Sequence, residues 1–152
     1  SSTDCPTAIV LSRQNLPQLC RDGKEALQGA YILSDSEKTP ELIFIATGSE
    51  VELAENAAGI LRAEGRAVRV VSMPSMEVFE MKSKEYRDKV LPASVEKRIS
   101  VEALSSFGWG KYVGLKGKSL SMDGFGASGP AKELFKHFGF TVENLVHLAK
   151  SL

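Results

Sequence analysis

Residues 41–75 alternate between buried-looking and amphipathic stretches in a way that predicts three consecutive elements. Leu42 to Ala46 is a short apolar run rich in Ile and Phe, the pattern of a buried strand. Thr47-Gly48 turns the chain, and Ser49 then heads a helix whose Ala54, Ala57, Ala58 and Leu61 share one face. Ser49 and Glu52 have capping-box spacing, in which each side chain satisfies an orphan backbone N–H. Glu50, Glu52 and Glu55 come early and Arg62 late, matching the helix dipole, and Gly65 stands where a left-handed C-cap is wanted. A second apolar run, Ala67 to Met73, ends at Pro74. Together these predict a β-α-β unit with two parallel neighbouring strands.

The flanking pattern is more broken. Ala8 to Leu11 is a brief apolar run that reads as the last strand of a preceding domain, cut from its sheet. Leu16 to Gly29 has no clear period and reads as a linker. Ala30 to Leu33 is a strand candidate, and 34–40 a polar turn. Short helices are expected over 75–81 and 83–90, a strand over Arg98 to Ala103, a short helix around Trp109, and a last strand over Ser119 to Met122. Pro130, with Ser128 or Gly129 as cap, opens a helix to Phe138, which Gly139 ends. Thr141 caps a final helix, with Phe140 and Leu145 as a hydrophobic staple and Leu145, Leu148 and Leu152 as its buried face. Strands alternating with helices specify an α/β fold: a three-layer α/β/α sandwich around a mostly parallel sheet of about five strands.

Composition narrows the function classes. The 152 residues suit one domain, and 43% hydrophobic with 25% charged residues is ordinary for a globular chain. Nineteen basic residues balance nineteen acidic ones, so no charge argument favours nucleic acid or a membrane surface as partner. No apolar run is long enough to span a membrane. Cys5 and Cys20 read as free thiols and the location as cytoplasmic, a disulfide closing the segment between them being the alternative. A first residue of Ser predicts a fragment or a processed product.

Candidate chemistry is sparse. Gly124 to Gly129 matches G-x-G-x-x-G between a strand and a helix, a pattern that lets a backbone approach a phosphate. A dinucleotide fingerprint also needs a following strand ending in an acid, and only 23 residues follow Gly129. A tight turn, or an anion or regulatory site on Gly126, Ser128 and Gly129, are the other readings. Gly117-Lys118-Ser119 lacks the upstream glycine of a P-loop, and Thr47-Gly48-Ser49 lacks the glycines of a nucleophile elbow. His137 and His147 have no partners at metal-ligand spacing, and Glu77, Glu80, Glu102 and Asp123 are scattered. Trp109 and Phe107 read as core or interface aromatics. Arg13 follows an apolar strand at the end where open α/β sheets bind ligands, and its guanidinium could fork onto a phosphate; the alternative is an exposed linker arginine.

Four strings carry a resemblance. TAIVLSRQNLP at Thr7 to Pro17, IATGSEVELA at Ile45 to Ala54, VRVVSMPSMEVFE at Val68 to Glu80 and DGFGASGPAKELFKHFGFTVENLV at Asp123 to Val146 together resemble the C-terminal part of bacterial-type transketolases. The resemblance implies an enzyme that uses thiamine diphosphate with Mg (or Ca) to move a two-carbon ketol unit from ketose phosphates to aldose phosphates in the pentose phosphate pathway. It implies a homodimer. Residues 1–16 would be the tail of the preceding pyrimidine-binding domain, 17–29 a linker and 30–152 the C-terminal domain. Arg13 matches the family position that contacts the substrate phosphate. The family's G-D-G…N cofactor motif is not met, since neither Asp22-Gly23 nor Asp123-Gly124 follows a glycine. The resemblance therefore implies no catalytic residue, cofactor or metal site here, and an isolated chain without activity. It also implies one antiparallel strand in the sheet, at Ala30 to Leu33. The alternative function is a regulatory nucleotide- or anion-binding module on the Gly124 to Gly129 turn.

Overall fold

The computed structural model describes residues 6–12, 14–19 and 22–152. Its centre is a five-stranded sheet, β1 (Tyr31–Ser34), β2 (Leu42–Ala46), β3 (Val68–Ser72), β4 (Arg98–Val101) and β5 (Lys118–Leu120), in the order β1-β3-β2-β4-β5. β2, β3, β4 and β5 run parallel, and β1 alone pairs antiparallel, Tyr31 lying beside Ser72. The predicted β-α-β unit is β2, α1 (Glu50–Ala63) and β3.

Alternation along the strands builds two cores. Leu42, Phe44 and Ala46 of β2, with Val68 and Val70 of β3, face a layer made by α1, α5 (Ala131–His137) and α6 (Val142–Lys150). Ile43 and Ile45, with Val71, face α2 (Met76–Glu80), α3 (Lys84–Val90) and α4 (Gly110–Val113), where Phe79, Val90, Trp109 and Tyr112 are buried. This is the expected three-layer sandwich, and both faces of β2 are covered, as its unbroken apolar run requires.

Several local devices match the sequence. Gly65 has φ +88°, with Gly65 N–H bonding to Arg62 and Arg66 N–H to Leu61, a Schellman end for α1. Gly139 ends α5 in the same way. Thr141 Oγ1 accepts the Asn144 N–H at 3.2 Å, and Phe140 and Leu145 are buried in one cluster. Ala149 completes the buried face of α6, with Leu148 and Leu152 only partly covered.

Other expectations fail for identifiable reasons. Ser49 is already helical in its backbone, so its hydroxyl turns to Glu50 and forms no capping box with Glu52. Pro130, not Ser128 or Gly129, occupies the cap of α5, because its extended ψ of 132° starts the helix only at Ala131. Glu55 is not merely a dipole partner: it accepts from Arg62 and from Ser34, tying α1 to β1. The stretch read as a featureless linker contains a 3-10 helix, Gly23–Gln28, capped by Asp22. Ala8 to Leu11, read as a strand cut from the sheet of a preceding domain, is irregular and exposed here, and the described residues hold no such second sheet against which to test the reading. Of the two aromatics read as core or interface, Trp109 is buried in the core and Phe107, 93% exposed, keeps only the interface reading.

Candidate functional site

The parallel strands all end at one edge of the sheet, and the side chains with the least ordinary surroundings collect there. Thr47 follows β2, Glu50 opens α1, Glu102 follows β4, and Trp109 caps α4. β2 and β4 are sheet neighbours, which brings Glu50 and Glu102 together although 52 positions separate them. Ser49 Oγ donates to Glu50 Oε1 at 2.7 Å. Thr47 Oγ1 donates to Glu102 Oε1 at 3.2 Å, and Trp109 Nε1 to Glu102 Oε2 at 2.7 Å.

Glu50 is only 5% exposed. Burial pushes its carboxyl above the usual range and the Glu102 charge adds to the rise, while the Ser49 hydroxyl and the Glu50 and Ala103 amides pull it back. A short way along the edge, Asp123 braces two loops: its Oδ1 accepts the Ser106 N–H at 2.9 Å and the Ser106 hydroxyl at 3.0 Å. The Ser106 amide holds that carboxyl below its ordinary value. On these braced loops Leu104, Phe107 and Phe125 stand out in solvent.

The sequence-named residues fall into place unevenly. Arg13, Cys5 and Cys20 lie outside the described residues. Gln14 lines a groove of about 460 Å³ with Ser49, Glu52, Leu53 and Phe140. None of Gly124, Gly126 and Gly129 has a positive φ, and a Cβ at each would meet nothing nearer than 3.5 Å. Ser128 and Gly129 are exposed, and nothing in the fold explains the glycines of this turn. Gly117 does have a cause: a Cβ there would lie 2.3 Å from the Val113 carbonyl and 2.7 Å from that of Arg98. Nearby, Ser100 of β4 and Ser119 of the edge strand β5 share a hydrogen bond of 2.6 Å.

His137 and His147 are exposed on α5 and α6. Glu80 accepts from Tyr112, Arg87 and Lys111, which lowers its pKa chiefly through the Lys111 hydrogen bond. Glu77 accepts from Ser75. Among the described residues no three His, Cys, Asp or Glu side chains are grouped to hold a metal, and no helix is long and apolar enough to cross a membrane. The juxtaposition of Glu50 and Glu102 was not visible along the chain. Its one linear signal is that each acid comes within four residues of the end of an apolar strand, Glu102 directly after β4 and Glu50 after the turn that follows β2.

Comparison with known proteins closes the description. The model of the transketolase-like TK C-terminal domain matches residues 29–141. Transketolase 2 of Aliivibrio fischeri is 57% identical over 152 residues, which cover 98% of this chain and 23% of that protein. The transketolase of Streptococcus pyogenes is 52% identical over 158 residues, with 100% and 21% covered. Among solved structures, the transketolase of Leishmania mexicana superposes with a TM-score of 0.81 at 46% identity, over 91% of this chain and 21% of that one. The Pichia stipitis transketolase in complex with sedoheptulose-7-phosphate gives a TM-score of 0.82 at 41% identity, over 91% and 20%. The chain thus spans less than a quarter of the length of these relatives.

Proposed function

This chain belongs to the transketolase-like TK C-terminal domain family, and on that premise we propose that it serves as the C-terminal domain of a cytoplasmic transketolase. In that setting the whole enzyme transfers a two-carbon ketol unit from ketose phosphates to aldose phosphates, within the pentose phosphate pathway. The observation that carries the reading is the match over nearly the entire chain to proteins roughly four times longer.

The reaction's cofactor would be thiamine diphosphate with Mg (or Ca), which would supply the electron sink for breaking and making the carbon–carbon bond. The described residues do not fit that group: Asp123 already has its Oδ1 taken by Ser106, and no cluster of metal-binding side chains exists among them. No step of the chemistry is therefore routed through this part of the chain. Its contribution is a rigid sheet that supports the rest of the enzyme, in a homodimer, with residues 1–16 as the tail of the pyrimidine-binding domain and 17–29 as the connection to residues 30–152. Arg13 is the residue assigned to the substrate's phosphate, a planar fork suited to a phosphate dianion.

The exposed Leu104, Phe107 and Phe125 belong to this reading as the face that docks on the remaining polypeptide. Large apolar side chains on braced loops mark an interaction surface. No observation favours the alternative of a regulatory nucleotide or anion site at Gly126, Ser128 and Gly129.

Arg13→Ala, placed in a chain of the relatives' full length, is expected to raise KM for phosphorylated sugars about 10–100-fold, the loss of one charge-assisted pair at roughly 1.5–3 kcal/mol, with little effect on unphosphorylated ones. Equal effects on both would remove the phosphate role. Turnover by the 152-residue chain alone, supplied with thiamine diphosphate and Mg²⁺, would overturn the supporting role itself.

A further inference from the structure

The Gly124 to Gly129 turn has no cause inside the fold, but it borders a cavity. That cavity, of about 150 Å³, lies between Met122, after β5, and the side chains of Leu134, Phe135 and Phe138 on α5 and its C-cap. Gly126 and Ala127 complete the lining and are exposed, so the cavity opens to solvent past them. The turn lies close against two of the walls: a Cβ built on Gly126 would stand 3.6 Å from Met122 Cε, and one on Gly129 3.5 Å from Leu134 Cδ2. The Phe135 ring packs on buried Phe140 with centroids 5.6 Å apart, which anchors the aromatic side of the cavity in the core.

Chemistry and size narrow what such a cavity takes. No charged or polar side chain lines it, so nothing there offsets the cost of desolvating a phosphate or a carboxylate. Sites for cofactor-sized molecules run to roughly 300–1,000 Å³, and this one falls below that range. It adjoins the exposed apolar edge on both sides: Ala103, also in its lining, precedes Leu104, and Gly126 follows Phe125. Asp123, accepting the Ser106 N–H and hydroxyl, ties the two loops that carry these side chains. We propose that the cavity is a socket for one aliphatic or aromatic side chain of the polypeptide that makes up the rest of the relatives' length, filled when that polypeptide docks on Leu104, Phe107 and Phe125. The socket rests on the reading of this edge as a docking face.

A socket accounts for the residues chosen in the turn. Any large side chain at 126 or 127 would fill the cavity from this chain's own side, and Gly126 and Ala127 leave it open. None of Gly124, Gly126 and Gly129 has a left-handed backbone, so what Gly126 supplies is the missing side chain and not conformational freedom. The G-x-G-x-x-G spacing is on this account a matter of size, with no phosphate involved. An unfilled apolar wall lacks partner atoms on one side, so an incoming side chain gains dispersion contacts as well as burial.

Gly126→Leu fills the socket from within and is read in two contexts. In the 152-residue chain its thermal midpoint should be unchanged or higher, because an apolar wall is covered and a glycine removed. In a chain of the relatives' length it should loosen the docked edge. Chymotrypsin cleavage after Phe107, slow in the unsubstituted long chain because the ring is covered, should run about 10-fold faster, the factor that corresponds to roughly 1.4 kcal/mol. Gly126→Ala, too small to fill the cavity, should leave that rate as it was. A long Gly126→Leu chain cut no faster than its parent overturns the socket and leaves the docking face standing. An unsubstituted long chain cut after Phe107 as fast as the 152-residue chain removes the docking face, and the socket with it. If Gly126→Leu lowers the midpoint of the 152-residue chain, Ala127→Leu is read in the same way, and a second lowering overturns the proposal by showing that the cavity has no room for a side chain.

Discussion

Arg98 gathers backbone carbonyls from three segments into one guanidinium. Its Nε donates to Val95 at 2.8 Å, Nη1 to Tyr112 at 2.8 Å, and Nη2 to Pro92 at 2.8 Å and Leu91 at 3.2 Å. These carbonyls lie where α3 ends, in the turn before β4, and at α4; the Pro92 carbonyl also takes the Val95 N–H at 3.0 Å, and Arg98 supplies the donors for the rest. Burial pulls the Arg98 pKa down, but an arginine stays charged through any accessible pH. Arg98→Lys, which cannot fork, should lose about 2–4 kcal/mol, since each carbonyl left buried and unpaired costs roughly 1–3 kcal/mol. Urea unfolding with an unchanged m-value would measure it; a loss under about 0.5 kcal/mol, the range of an ordinary surface substitution, would show that water replaces the guanidinium. Along the chain Arg98 was legible only as the first residue of a strand. Its acceptors are main-chain oxygens, which leave no signature in side-chain identity. Thr141 is legible as a cap because its partner is three residues away; Ser49 does stand at the start of α1, but its helical backbone turns the hydroxyl to Glu50 and no capping box forms.

At the level of elements, what local pattern could state was stated: the apolar runs of β2 and β3, the amphipathic α1, and the glycines that end α1 and α5. Gly29 shows the limit. It has φ +81°, and a Cβ there would lie 2.2 Å from the Phe79 nitrogen and 2.6 Å from the Ser75 carbonyl oxygen. Its own carbonyl accepts the Ser75 N–H at 2.9 Å, so the entry to β1 is pressed against the start of α2. Sequence alone places Gly29 at the end of a linker, because the atoms that require a glycine come from residues more than forty positions later. Gly29→Ala is expected to cost about 2–5 kcal/mol, combining roughly 1–2 for a left-handed non-glycine residue with overpacking of roughly 1–3. The thermal midpoint of the variant checks this. Gly126→Ala, open on all sides but Met122, should by contrast leave it unmoved.

For the molecule as a whole, the layered fold was readable, but the grouping of its acids was not, since strand order decides which loops are neighbours. The exposed edge gives a comparison between contexts. Phe107→Ser with Phe125→Ser should change the stability of the 152-residue chain by no more than about 0.5 kcal/mol, both rings being in solvent already. In a chain of the relatives' length the same pair should cost about 3 kcal/mol or more, from burial of roughly 1.5–3 kcal/mol per ring. Equal, small effects in both contexts would place the docking face elsewhere. One further feature fixes where the chain enters the sheet. Because β1 runs against the other four strands, with Tyr31 beside Ser72, the incoming polypeptide meets the slab on the rim where the parallel strands finish. A first strand of the opposite sense would have moved that point of attachment across the sheet by about 13 Å, four residues at roughly 3.3 Å each. A single inverted strand thereby puts the start of β1 and the exposed apolar side chains of the loops after β4 and β5 on the same rim of the sheet.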